Sequence, residues 1–454
     1  MDFNLPVEVQ SILKQVQEKN FEIYIVGGAV RDLLMGKFVR DWDFTTNATP
    51  VQILEIFPDG FYDNIFGTVG VKFDAFEKPF EITTFRTEHG YSDNRRPDKV
   101  SWGKSLEEDL SRRDFTINAM ALGRQNNDLG FKIYDFYKGV EDINNKIIKA
   151  VGDPNERFSE DALRMMRAVR IATELGFIIE DQTFEAIKKN APLIQKIAKE
   201  RIKDELFKLL TSVNAADGIM ILKNSGLMDE IIPELSKCFG VEQKSVGRHH
   251  IYDVGTHLVM ALKNCKSDDV ITRFATLIHD IGKPATFKKL DSGTITFYNH
   301  EMVSTRIAQN LAERLRFSKK ETEKLITLVR WHQFTVDERQ TDSAIRRFIK
   351  NVGKENLEDM LALRVGDRLG GGARETSWRL EEFKRRIEEV QKQPFSIKDL
   401  KINGNDVMKT LNLKPSKQVG DILEKLFNEV VEKRLKNDRE TLLSELSRSS
   451  VLEH

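Results

Sequence analysis

The chain has 454 residues, 40% hydrophobic and 31% charged. That is too long for one core and argues for about three or four domains of a folded, helix-rich protein rather than a disordered one. Lys plus Arg equals Asp plus Glu, 71 each, so net charge does not argue for nucleic acid, and any RNA-binding face must arise by segregating basic residues. No apolar run approaches the roughly 20 residues of a membrane span, and "MDFNLPVEVQSIL" has no basic region followed by an apolar stretch. Two cysteines, Cys238 and Cys265, suit a reducing compartment; the expectation is a cytoplasmic protein with no membrane partner.

In chain order, residues 5–19 read as an amphipathic helix and "FEIYIV" as a buried strand entering Gly27-Gly28. "VRDLLMG" predicts a short helix stopped by Gly36, "DWDFTT" a strand, and "TPVQILEIF" a helix capped by Thr49 with Pro50 in its first turn. "GTVGVKFDAF" and "PFEITTFR" read as paired strands, and the polar stretch at 87–105 as a long loop. From about residue 106 the periods are helical, through "EEDLSRRDFTINAMAL", "ERFSEDALRMMRAVRIATELGF" and "ERIKDELFKLL". Boundaries are expected near 150, 240 and 380, giving segments 1–150, 151–240, 241–380 and 381–451. The fold class is α+β, a small mixed-sheet head followed by an elongated all-α body. The closing Leu-Glu-His reads as an expression-vector scar.

On a strand, residues i and i+2 share a face, so Asp41 and Asp43 are expected side by side with Trp42 facing away. Two hard oxygen ligands at that spacing suit Mg²⁺, whose shell substrate phosphates complete. Gly27 and Gly28 precede a helix start, where backbone N–H groups favour an anion, and Arg31 adds a charge-assisted contact to phosphate. Glu81, in "PFEITTF", is a candidate third carboxylate; the alternative is an edge-strand glutamate facing water. A DxD and a Gly-Gly turn are each common by chance. Their order and proximity together supply the parts of phosphoryl transfer.

"GGAVRDLLMG…RDWDFTT", "EDLSRRDFTINAMA", "GDPNERFSEDALRMMRAVR" and "ERIKDELFKLL" closely resemble the class II tRNA nucleotidyltransferases, the CCA-adding enzymes, which share ancestry with bacterial poly(A) polymerases. The resemblance covers roughly residues 20–235. It implies Mg²⁺-dependent, template-independent addition of C, C and A to the tRNA 3′ end from CTP and ATP. It also implies that Asp41 and Asp43 are the catalytic metal ligands, that Gly28 and Arg31 meet the triphosphate, and that Arg112 contacts the nucleotide. Arg113 and Asp114 lie where such enzymes sense the ribose 2′-hydroxyl, Asp161 and Arg164 match the pair that reads the base, and Arg167 and Arg170 match further nucleotide contacts. At about 100° per residue, those four fan across one half of a helix, opposite Leu163, Met166 and Val169. A solvated polar face is the competing reading, and by angle Arg170 sits farthest from Asp161.

Six of the eight histidines, at 249, 250, 257, 279, 300 and 332, fall within one stretch. His257, then His279-Asp280 in "LIHDIGKP", then Asp367 resemble the HD metallohydrolases, which bind divalent metal and hydrolyse phosphate esters. Lys283 is placed to meet a phosphate. His300 and His332 would support a second metal, or are ordinary capping histidines.

Two other readings compete. One is a partial (A-adding or CC-adding) enzyme or a poly(A) polymerase; the other is an HD-type phosphohydrolase with an inactive transferase head. The full-length polar stretch at 87–105 favours complete CCA or A addition. By the resemblance, the helical tail from about 380, basic in patches, grips tRNA through its phosphates; by composition alone it is a solvated helical surface.

Overall fold

The computed structural model describes residues 3–64, 67–89, 99–103, 105–124, 130–243, 251–334, 340–375, 377–391, 397–431 and 434–451. They form two compact units, residues 1–240 with 310–318, and 241–309 with 319–454. No helix among the described residues is long and apolar enough to cross a membrane.

The first unit opens with α1 (Val7–Glu18), β1 (Ile23–Val26), α2 (Gly28–Leu34), β2 (Asp43–Thr46) and α3 (Pro50–Ile56). There follow β3 (Phe61–Asn64), β4 (Thr68–Val71), β5 (Phe80–Thr84), β6 (Arg86–His89), β7 (Lys99–Trp102), α4 (Leu106–Ser111), β8 (Ala121–Arg124) and β9 (Phe131–Tyr134). The main sheet has the order β3-β4-β5-β2-β1-β8-β9, antiparallel throughout except for the parallel pair β2–β5. Alternation on β1 explains its two faces. Ile23 and Ile25 point to a core closed by Val9, Ile12, Leu13 and Val16 of α1, whereas Val26 and Tyr24 pack with Leu106 and Leu110 of α4. Thr49 and Gln52 form a reciprocal capping box with Pro50 at the first turn of α3.

Two expectations for the head need correction. The polar stretch at 87–105 is not all loop: its ends are the antiparallel hairpin β6–β7, Arg86 opposite Trp102, while residues 90–98 and 104 lie outside the described set. Helix does not run through "EEDLSRRDFTINAMAL" either. It stops at Ser111, and Ala121–Arg124 joins the sheet beside β1. A short apolar run flanked by polar residues reads alike as buried helix or buried strand, and the free edge of β1 decides it.

Beyond the head come α5 (Gly139–Asn145), α6 (Pro154–Glu160), α7 (Leu163–Leu175), α8 (Asp181–Asn190), α9 (Lys199–Thr211), α10 (Ala215–Asn224), α11 (Leu227–Ile231) and α12 (Pro233–Ser236). The expected single helix around 155–175 is two. Asp161 ends α6 in extended conformation, φ −137° and ψ 103°, and its Oδ1 accepts from Leu163 N at 2.9 Å to start α7.

The second unit is helical: α13 (Val254–Asn264), α14 (Val270–Ile278), α15 (Lys283–Thr286), α16 (His300–Arg314, its end belonging to the first unit), α17 (Lys319–Trp331), α18 (Asp342–Val352), α19 (Leu357–Gly370) and α20 (Trp378–Gln391). Helices α13 and α19 meet closely at Gly366 and Gly370; a Cβ on Gly370 would stand 2.6 Å from Ala261 N. The boundary expected near 380 falls inside α20, because Phe383 is held by Phe334 and Phe348. The separate cluster begins later, at Leu400, with α21 (Gly404–Leu411), α22 (Lys417–Val431) and α23 (Arg439–Val451).

Candidate active sites

In the head, β1 ends at Val26 and Gly27 turns the chain into α2 with φ +71°, a conformation that disfavours residues with a Cβ. A Cβ there would stand 3.0 Å from Arg113 Nη1 and 3.7 Å from Asp43 Oδ2. The glycine turn, a carboxylate and a guanidinium therefore share one small space. Asp43 opens β2, paired with Val26 on one side and Glu81 on the other.

Asp41 lies two residues before the strand, exposed, with Lys78 Nζ at 2.8 and 3.0 Å from its two oxygens. Trp42 between them is buried. Glu81 is solvent-exposed, but its strand β5 lies inside the sheet, not at an edge. Among the described residues, Asp41, Asp43 and Glu81 are not gathered into one tight group. Burial pushes the Asp43 carboxyl up, Arg113 opposes, and Asp41 pushes it up further; the net direction is upward. A half-buried carboxylate whose pKa is pushed up beside a second carboxylate fits a divalent cation.

The arginines are held by acids. Arg31 donates from Nε to Asp32 at 2.9 Å and from Nη1 to Asn118 at 2.9 Å. Arg112 Nη2 reaches Asp109 Oδ1 at 2.6 Å, Arg113 Nη2 reaches Asp109 Oδ2 at 3.4 Å, and Thr45 of β2 donates to the same Oδ2 at 3.2 Å. Asp109 is wholly buried, and the two arginines hold its pKa down against that burial. Sequence reasoning missed it. Its signal was an acid three and four residues ahead of the Arg pair in "EEDLSRRD".

Asp114 Oδ2 accepts from Arg167, and its Oδ1 accepts from Asn118 Nδ2 at 3.3 Å, linking this set to Arg31. Arg164 is buried and not on a solvated face; it donates to Glu160 at 2.7 Å and to the Arg112 carbonyl at 3.0 Å. Asp161 Oδ2 accepts from Arg201 of α9 at 3.2 Å, a partner with no sequence signal. Arg170 lies apart, engaged by Glu205 and Glu174.

The second unit holds a buried cluster. His257 and His279 Nε2 lie 3.3 Å apart. Both approach Asp367 Oδ1, at 3.2 and 3.5 Å, and Asp280 Oδ2, at 3.5 and 3.3 Å. The other oxygen of Asp280 faces His300 Nε2 at 3.0 Å and His332 Nε2 at 3.4 Å. The potential ligand atoms thus form two groups, His257, His279, Asp280 and Asp367, and Asp280, His300 and His332. His249 and His250 lie outside the described residues.

Nδ1 of His279, His300 and His332 each meets a backbone carbonyl at 2.7–2.8 Å, which fixes each ring with Nε2 facing the acids. Burial pulls the His279 pKa down, but Asp280 and Asp367 outweigh it and lift it to about 10. Such a field, with imidazole and carboxylate donors in one buried place, fits a divalent transition metal. Lys283 Nζ pairs with Asp280 at 2.6 Å and donates to Gln243 at 2.9 Å. It lines, with Asp367, His300 and Arg364, an open cleft of about 480 Å³.

Three families match along the chain: the poly A polymerase head domain over residues 23–149, the probable RNA and SrmB-binding site of polymerase A over 176–239, and a putative tRNA nucleotidyltransferase domain 2 over 294–446. The CCA-adding enzyme of Ligilactobacillus salivarius is 34% identical over 97% of this chain and 96% of its own. The chain belongs to the CCA-adding enzymes. The match to the CCA-adding enzyme of Lactobacillus helveticus is stronger, 45% identical, but spans 50% of this chain and 55% of that one. Among solved structures, the Bacillus stearothermophilus CCA-adding enzyme in complex with CTP superposes with a TM-score of 0.70 at 28% identity, covering 98% of both chains. A Thermotoga maritima CCA-adding enzyme complexed with tRNA, at 19% identity and TM-score 0.63, shares the fold.

Proposed function

We propose that this family member adds C, C and A to the tRNA 3′ end from CTP and ATP with release of pyrophosphate, in the cytoplasm. The observation that carries the reading is the convergence of the Gly27 turn, Asp43 and Arg113 on one space, with Asp41 beside it. Asp41 and Asp43 would hold Mg²⁺, which when bound offsets negative charge on the reacting phosphate. Gly28 and Arg31 meet the triphosphate, and Arg113, fixed by Asp109, places a cation where charge develops. Arg112 and Asp114 bound the ribose side. Asp161 accepts from the exocyclic amino group that C and A share, and Arg164 donates to the ring. Both are held by neighbours, which suits selection without a template. Arg167 acts through Asp114; Arg170, tied to Glu205, is a more distant contact.

The test uses purified protein, Mg²⁺ and one tRNA ending in the discriminator base, in C or in CC, with CTP, ATP or both. Growth of the shortest transcript by three residues only with both nucleotides establishes the activity. A single A added only to the CC-ended form would mean a partial enzyme, long A tails a poly(A) polymerase, and no addition would overturn the reading.

The histidine cluster favours a second activity in the other unit, metal-dependent hydrolysis of a phosphate ester of the HD type. His257, His279, Asp280 and Asp367 would hold one divalent metal, and His300 and His332 with Asp280 a second. Lys283 faces the same cleft as a phosphate contact. Loss of bound metal and of any phosphatase activity in His279→Ala tests it; wild-type metal content in that variant would refute it.

A further inference from the structure

The cleft over the histidine cluster does not end at the cluster. Gln333 and Arg364 line it and also line a second cleft of about 620 Å³, with Phe334, Arg368, Trp378 and Arg379. The second cleft has a consistent chemistry. It presents three guanidinium groups and two aromatic rings, and among the described residues no carboxylate lines it. Each aromatic ring has an arginine beside it. Arg364 Cζ lies 5.4 Å from the centroid of Phe334, and Arg379 Cζ lies 5.3 Å from that of Trp378.

Phe334 is held in place by Phe348 and Phe383. Trp378, by contrast, is 63% exposed with Arg379 beside it, unusual for so large an apolar ring. The Nε–H groups of Arg364 and Arg368 are buried with no acceptor among the described residues, while Arg364 Nη1 already donates to Asp367 Oδ2 at 3.2 Å and so ties the second cleft to the cluster. Arginines with buried donors to spare recognise phosphate oxygens, and an exposed indole is a platform for a flat base.

We infer that this second cleft is a nucleotide subsite continuous with the metal cluster, so that the ester presented to the cluster is the phosphate of a ribonucleotide. The phosphate lies toward Lys283 and Arg364, and its base, or the next nucleotide, stacks on Trp378 between Arg368 and Arg379. The assignment of substrate class rests on the phosphohydrolase reading of the cluster; the binding subsite itself does not. An acidic peptide would use the arginines but leave the indole unsatisfied.

The test is calorimetric titration of the full-length protein, wild type, Trp378→Ala and Arg368→Gln, with the 3′-phosphorylated dinucleotide ApAp and with 3′-AMP. The head's own nucleotide site contributes equally to all three proteins, so the difference reports the second cleft. Both variants are expected to weaken one binding event about tenfold or more. Tighter binding of ApAp than of 3′-AMP would assign the end of an RNA chain, and equal binding a mononucleotide. Dissociation constants within twofold of wild type in both variants would overturn the subsite. So would displacement of ApAp by a poly-glutamate peptide at matched charge concentration. Hydrolysis of glycerol 2-phosphate, which has no base, is followed in parallel with added Mn²⁺. No turnover of it or of either nucleotide, with the binding difference intact, would remove the hydrolase reading and leave the subsite standing.

Discussion

Arg167 donates from both Nε, at 2.8 Å, and Nη2, at 2.6 Å, to a single oxygen of Asp114. The acid stands in the head and the base on α7, so this pair ties that helix to the head. Burial pushes the Asp114 carboxyl up, but Arg167 outweighs it and brings the pKa down to about 2. A depressed acid stabilises the fold above its ordinary value, near 4, and that contribution is lost as pH falls through about 2. Its size is on the order of 2 kcal/mol. Urea unfolding of wild type should therefore lose stability across that window, whereas Asp114→Asn should start lower at pH 7 and change less on acidification. Parallel curves for the two proteins would show the pair to be neutral.

Asp109 is the buried anchor for both Arg112 and Arg113. Asp109→Asn keeps the shape but removes the charge, freeing both guanidinium groups from their fixed places. We expect kcat/KM to fall at least tenfold for CTP and ATP alike with the ratio between them kept, since the residues proposed to read the base, Asp161 and Arg164, are elsewhere. Single-turnover addition on CC-ended and discriminator-ended tRNA measures both. A change in the ratio alone would assign Asp109 to base choice instead.

Asp41→Ala should abolish addition, at least a thousandfold, because the cation loses a ligand where charge develops. Lys78 now faces that carboxylate, so the variant also frees a surface lysine, at little cost to the fold. Full activity under Mg²⁺ would disprove the metal role.

For Asp161→Ala, the expected result is relaxed choice between nucleotides with the enzyme still folded. Losing the acceptor for Leu163 N–H costs about 1 kcal/mol. Misincorporation of U and G, read by sequencing the extended tRNA, reports the effect; unchanged preference for C and A would clear Asp161 of that part.

Metal content separates the two ligand groups in the second unit. His332→Ala should lower the metal-to-protein ratio by about one, and Asp280→Asn should lower both, since its two oxygens serve both groups. Plasma mass spectrometry after dialysis gives the ratio. Equal content in His332→Ala and wild type would reduce that residue to a buried packing histidine.

Much of this was legible because local signals agreed. Thr49 and Pro50 spelled a capped helix start, and Gly27-Gly28 marked where the first strand gives way to a helix. His257, His279, Asp280 and Asp367 were grouped by their resemblance to the HD pattern, and the fold brings them together although more than a hundred positions separate the first from the last. What could not be read was set by distant contacts. Ala121–Arg124 is a strand because β1 offers an edge, not because of its composition. The break at Asp161 follows from a side chain that starts the next helix instead of continuing its own. Glu81 looked peripheral because a parallel neighbour, β2, comes from far earlier in the chain. Asp109 looked like one more acid in a helical turn until Thr45 and two arginines closed around it.

The pairing of β1 with β8 joins residues almost a hundred positions apart, Ile25 with Leu122. Asp41, Asp43 and the glycine turn come early in the chain, and Arg113, which lies just ahead of β8, meets them in the fold. Closing so long a loop is entropically costly and slow relative to local structure. Arg31 is made before either carboxylate, whereas Arg112 and Arg113 follow Asp43 by about seventy positions. The site is therefore assembled from two stretches of chain that only the non-local β1–β8 pairing brings into one sheet.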